Sequence, residues 1–127
     1  MLFPSLVAAG CTVAGGVVFA VDPETPGHYP TCPFLALTGW YCPGCGTTRA
    51  VHALLHGDAG LALQRNPLTV AALVVLAAAF VLWSRRLWRG APRTWVAPPW
   101  VLYGLLGVVL AFWALRNVPG WSWLSPA

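Results

Sequence analysis

Two cysteines separated by two residues bring both sulfurs within reach of one metal ion or of each other. The chain has this spacing in Cys42-Pro43-Gly44-Cys45-Gly46. Pro43 and Gly44 favour a tight turn between the thiols, and Gly46 leaves the backbone free to aim its amides at sulfur. Zinc knuckles use this arrangement for half of a tetrahedral site. A full site needs four ligands. Cys32 is the candidate third, and His28, His52 or His56 the candidate fourth, with His52 reachable only if the knuckle folds back. The cofactor expected on this reading is zinc.

The same residues suit thiol chemistry. A CxxC just before a helix start has its thiolate favoured by the helix dipole and here by the cation Arg49. Outward placement, which the loop charges favour, promotes a bridge between Cys42 and Cys45 or between Cys32 and either of them. The third reading is structural: prolines and glycines fold a re-entrant hairpin closed by one bridge. All three stay open on the sequence, and no catalytic residue is assigned. Cys11, inside an apolar stretch, is expected to be a packing residue. Hydrolase, kinase and nucleotide-binding functions lack their parts, since there is no glycine-rich phosphate loop and only three acids exist.

The elements that must position these groups follow from local signals. Thr47 or Thr48 is expected to cap a short helix that Gly57 ends, and Asp58 to cap a second, Ala59 to Arg65, closed by Asn66. Asn66-Pro67 then opens a long apolar helix, as a cap followed by proline at the first position. On the first short helix Val51, Leu54 and Leu55, with Ala50 nearby, form an apolar stripe, while Arg49, His52 and His56 share another face. Asp58, across the Gly57 turn, is the expected ion-pair partner of Arg49.

Composition supplies the setting. Of 127 residues, 58% are hydrophobic and 8% charged, against roughly 25% charged in soluble domains. That excludes an ordinary soluble enzyme and a disordered chain. Three segments are long and apolar enough to span a bilayer, which takes about 20 residues: residues 2–21, 67–83 and 95–115. In the third, Pro98-Pro99 belongs at the helix entrance, leaving Trp100 to Leu115 as the regular part. The first is expected to be retained as a helix rather than cleaved, because no basic residue precedes it and no clear cleavage site follows. Its Gly10, Ala14 and Gly15 suit close helix approach. The fold class expected is an all-α membrane protein. It has three transmembrane helices, with a short interfacial or re-entrant helix pair in the 28–66 segment between the first and second, and the whole chain is one membrane domain.

All seven basic residues are arginine, and four of them, Arg85, Arg86, Arg89 and Arg93, crowd one loop, giving a net charge of +4 overall. Positive loops stay cytoplasmic. Residues 84–94 are therefore expected inside and residues 22–66 outside. Trp83, Trp88, Trp95, Trp100, Trp121 and Trp123 fall near span ends, as interfacial anchors do. The expected partners are the lipid bilayer, whose anionic headgroups the arginines suit, and a second copy or a larger membrane complex. No nucleic-acid surface is expected.

Within residues 32–68 the chain resembles a known family. Cys32-Pro33, Thr38-Gly39, Cys42-Pro43-Gly44-Cys45-Gly46, Thr48-Arg49, Gly57-Asp58 and Asn66-Pro67-Leu68 all fall where the pattern of the bacterial membrane family called domain of unknown function 2752 has them. The resemblance implies a small multi-span protein of a bacterial cell membrane with no established activity.

Overall fold

Six helices account for the regular structure of the computed structural model, which describes residues 2–92 and 95–120. Three are long: α1 (Leu2–Ala20), α5 (Pro67–Trp88) and α6 (Pro99–Arg116). Three are short and lie between α1 and α5: α2 (Pro33–Thr38), α3 (Thr47–Leu55) and α4 (Ala59–Arg65). No strand occurs among the described residues. The long helices each have the length and hydropathy to cross a membrane, so the chain is an all-α protein with the build of a multi-pass membrane protein.

Helix boundaries follow from local chemistry. The Asp58 carboxylate accepts from the Leu61 amide and starts α4, and Asn66 Oδ1 accepts from the Thr69 amide at the start of α5, with Pro67 at the first helical position. α3 starts one residue earlier than a threonine cap allows. Its N-cap is Gly46, at φ 83°, and Thr47 is already helical. Only a residue without Cβ takes that backbone without strain, so the glycine outranks the hydroxyls. α3 closes through His56 and Gly57, also at positive φ.

Two boundaries differ from expectation. α5 runs on through Arg85 and Arg86 to Trp88, about one turn past Trp83. Arginine is a good helix former and its charge is favourable at a helix C-terminus, so the basic residues extend the helix rather than end it. The connecting segment also holds three short helices, not a pair. Pro33, at the first position of α2, starts a helix that Gly39 ends in the left-handed conformation.

α1 and α5 run antiparallel. The start of α1 (Pro4, Ala8) and the end of α5 (Phe80, Ser84, Trp88) line a shared groove, while the other ends of both helices meet α3. Arg85, Arg86 and Arg89 thus gather at one end of the molecule and the cysteine segment at the other. Arg93, Trp121 and Trp123 lie outside the described residues.

The buried core is small and sits under the short helices: Ala50, Ala53 and Ala62, with Leu54, Leu61 and Val70 against them. The face of α3 that buries is therefore Ala50–Ala53, rotated from the expected Val51, Leu54, Leu55 stripe, and Leu55 is exposed. Alanines win because α3, α4 and α5 approach closely there, and close approach leaves no room for larger side chains. The long helices keep most apolar side chains on the outside. Among the described residues, nothing outside the helix's own backbone and the adjoining residues lies within 4 Å of a Cβ placed at Gly10 or Gly15, and Cys11 is exposed rather than packed.

Candidate metal centre

The knuckle is built by its own backbone first. The Cys45 amide donates to the Cys42 carbonyl (3.1 Å) and the Thr47 amide to the Gly44 carbonyl (3.0 Å), closing the turn that Pro43 and Gly44 prefer. The Cys42 amide then donates to Cys45 Sγ at 3.3 Å. Hydrogen bonds of this kind stabilise negative charge on sulfur.

Cys32 reaches the knuckle from a separate segment, as the residue immediately before α2. Its Sγ lies 3.5 Å from Cys42 Sγ, and Cys42 Sγ lies 3.1 Å from Cys45 Sγ. All three sulfurs fall within 4.8 Å of one another. A tetrahedral zinc with bonds of about 2.3 Å sets its sulfurs about 3.8 Å apart, so small side-chain adjustments fit the triangle to one ion.

The thiols differ in character. Cys32 is held below its ordinary thiol value, chiefly by the Leu35 backbone amide in the first turn of α2. Burial pushes Cys45 up to about 12, with the neighbouring Cys42 thiol adding to the rise. The helix start at Gly46 therefore does not make Cys45 a ready thiolate. Desolvation outweighs the dipole, and without metal Cys45 stays protonated through neutral pH. In reduced, metal-free protein at neutral pH, limiting iodoacetamide is expected to label Cys32 well before Cys45, whose rate should keep climbing with pH to about 12. Peptide mapping that finds the two labelled equally fast would contradict this ordering.

Three later residues brace the knuckle. Asn66, fully buried, donates from Nδ2 to the carbonyls of Pro43 (3.0 Å) and Cys45 (3.2 Å) while capping α5. Arg116, the last residue of α6, donates from Nη1 to the Cys42 and Pro43 carbonyls (3.2 and 3.3 Å). Asn117 pairs with the Tyr41 backbone in both directions, each bond 2.9 Å. Near the end of α6, Trp113 packs edge-on against Phe34 of α2 and tilted against Trp40. α3 is tied to α5 by the Thr47–Thr69 hydroxyl pair at 2.9 Å.

The histidines do not join the thiols. His28 Nδ1 donates to the Asp22 carbonyl. His52 Nδ1 donates to the Val18 carbonyl of α1 (2.7 Å), and His56 stacks on Phe19. α3 leaves the knuckle toward the end of α1, and its two histidines serve that contact. Among the described residues the three cysteines alone form a group able to hold an ion. Arg49 is half-buried on α3, while the Asp58 carboxylate caps α4. Pro43, Gly44, Gly46, Gly57 and Asn66 all sit in turns or caps and Pro67 opens α5; Thr48 is instead inside α3.

Sequence reasoning missed Arg116 and Asn117 and saw in Asn66 only a cap. The sequence signal is weak, because an arginine at the end of an apolar span ordinarily snorkels to the interface rather than marking a site.

Residues 32–80 match the model of a family described as Protein of unknown function (DUF2752). The chain resembles that family from Cys32 through α2, α3 and α4 and into α5, whereas α1 and α6, with Arg116 and Asn117, lie outside the match. No curated protein and no solved structure matches the chain.

Proposed function

We propose that this chain is a membrane-embedded metal-binding protein in which Cys32, Cys42 and Cys45 hold a thiophilic ion, zinc foremost, as a structural centre at one end of the three long helices. The convergence of three sulfurs from two separate segments carries this reading. A static disulfide uses two cysteines and leaves the third without a role, whereas an ion uses all three. Thiolates select soft or borderline ions such as zinc over magnesium or calcium. With the histidines engaged elsewhere, the fourth position falls to a small external donor.

The orientation that fits is a bacterial cell membrane with Arg85, Arg86 and Arg89 on the cytoplasmic side and the cysteine centre outside. The positive-inside rule supports it, as does the placement of those arginines and the cysteines at opposite ends of α5. Lipid covers the apolar flanks, which also suit a second copy or a partner membrane subunit.

Full-length protein purified under reducing, chelator-free conditions is expected to carry about one zinc per chain by elemental analysis. Metal-free protein that keeps its fold and ignores added zinc would overturn the reading. A second reading, thiol–disulfide exchange, is favoured by the lowered Cys32 thiol lying 3.5 Å from Cys42. Mass spectrometry of protein alkylated in intact cells separates the two. A Cys32–Cys42 or Cys42–Cys45 bridge speaks for exchange, and three free thiols released on unfolding speak for metal.

A further inference from the structure

Arg116 is a cation in an expensive place. It is 3% exposed, and Nη1 spends its bonds on two neutral carbonyls, while Nε and Nη2 are buried with no hydrogen-bond partner among the described residues. The rings of Tyr41 and Phe112 flank the guanidinium, with centroids 5.9 and 5.0 Å away. The chain has three acids, and each is engaged elsewhere. Glu24 pairs with Arg65, Asp58 caps α4, and Asp22 accepts from the Glu24 amide. Among the described residues, the nearby groups able to carry negative charge are the thiols of Cys42 and Cys45, which lie close enough to interact with the guanidinium electrostatically, and the Tyr41 phenol. A buried cation is stabilised by a buried anion, and metal-bound thiolates would supply one beside Arg116.

We propose that Arg116 is the built-in counter-charge of the three-cysteine centre and sets that centre to hold a divalent thiophilic ion. This deepens the metal reading above and rests on it. On loading, each thiol gives its proton to solvent, and three sulfur–metal bonds form. Three thiolates and a divalent ion leave one negative charge, which the guanidinium cancels. A monovalent ion would leave the cluster negative and a trivalent one would leave it positive, both costly in a low-dielectric site. Arg116 is thus a positioning residue that acts through the charge of the ligands, without itself touching the ion.

The test uses cobalt(II) as a probe, titrated into the reduced full-length protein in mild detergent. Thiolate-to-cobalt charge-transfer absorption per bound ion counts the coordinated thiolates. Wild type is expected to show the intensity of three. Arg116→Met, which strands a negative cluster, is expected to keep one thiol protonated. It should show about two-thirds of that intensity per ion and at least about tenfold weaker binding. Arg116→Lys keeps the charge, and its ammonium can still donate to both carbonyls, so it should restore full intensity. Asn117→Ala loosens the same loop without touching charge, and it too should keep full intensity per ion.

Full intensity per ion in Arg116→Met would overturn the proposal and make Arg116 only a brace for the loop. A reduced intensity in Asn117→Ala or Arg116→Lys would overturn it as well, and if Arg116→Met does not fold, Arg116→Gln, which keeps a donor without the charge, takes its place with the same expected and overturning results. Absence of charge-transfer bands in wild type is a separate failure, that of the metal reading itself.

Discussion

Asn66→Ala is expected to destabilise the folded chain by about 3 kcal/mol and to loosen the cysteine knuckle at the same time. The estimate sums two losses. Removing an N-cap costs about 1 kcal/mol, and a buried carbonyl left without a donor costs about 1–3 kcal/mol. Asn66 supplies both services from full burial: its Oδ1 caps α5, and its Nδ2 holds the carbonyls of Pro43 and Cys45. Pro43 keeps Arg116 as a second donor, so the Cys45 carbonyl bears most of the loss. Asn66→Ser separates the two roles. A serine still caps the helix but does not reach across to the knuckle, and it should recover about 1 kcal/mol. Unfolding in detergent, followed by far-UV circular dichroism with denaturant, measures both. Stability within about 0.5 kcal/mol of wild type for the alanine variant, the range of an ordinary surface change, would mean the knuckle does not depend on Asn66.

Replacing Cys42 with serine is expected to cost the most metal affinity of any conservative change. Cys42 is the sulfur in the middle, within 3.5 Å of Cys32 Sγ and 3.1 Å of Cys45 Sγ. Structural zinc sites hold their ion with about 10–16 kcal/mol. Shared among four ligands, one thiolate accounts for about 2.5–4 kcal/mol, or on the order of a hundredfold in affinity. His52→Ala and His56→Ala serve as controls. Their side chains belong to the α1–α3 contact, so both should leave zinc affinity unchanged while loosening the end of α1. Competition with a chromogenic chelator reads all three variants. A Cys42→Ser protein that binds zinc as tightly as wild type would remove the centre from consideration. A His52→Ala protein that loses a hundredfold would restore the histidine as a ligand.

What the sequence disclosed and what it hid divide by range. Features set within a few residues were legible: Asp58 and Asn66 as caps, Pro67 at the start of α5, the Pro43–Gly44 turn, and three spans from composition alone. Features set by a distant element are hidden. His52 and His56 have the spacing of ligands on α3, and nothing local says that the end of α1 arrives on that face. The expected stripe on α3 was rotated for a similar reason: close packing against α4 and α5 selects Ala50 and Ala53 over bulkier neighbours. The thiolate expected at the CxxC failed at Cys45 because burial is a tertiary property. Arg116 is distant in sequence from the Cys42 carbonyl it holds, and no periodicity links them. α5 outlasted its expected end because arginine reads as a loop charge for topology yet is a good helix residue.

The bracing of Cys42 and Pro43 by Arg116 and of Tyr41 by Asn117 also imposes an order of events. The cysteines leave the ribosome early, but the residues that close over them come from the far end of the last helix. Until Arg116 and Asn117 have been made, the backbone of Tyr41, Cys42 and Pro43 lacks the donors that hold it. A chain that stops before Arg116 therefore carries all three cysteines of the knuckle without the side chains that brace their loop.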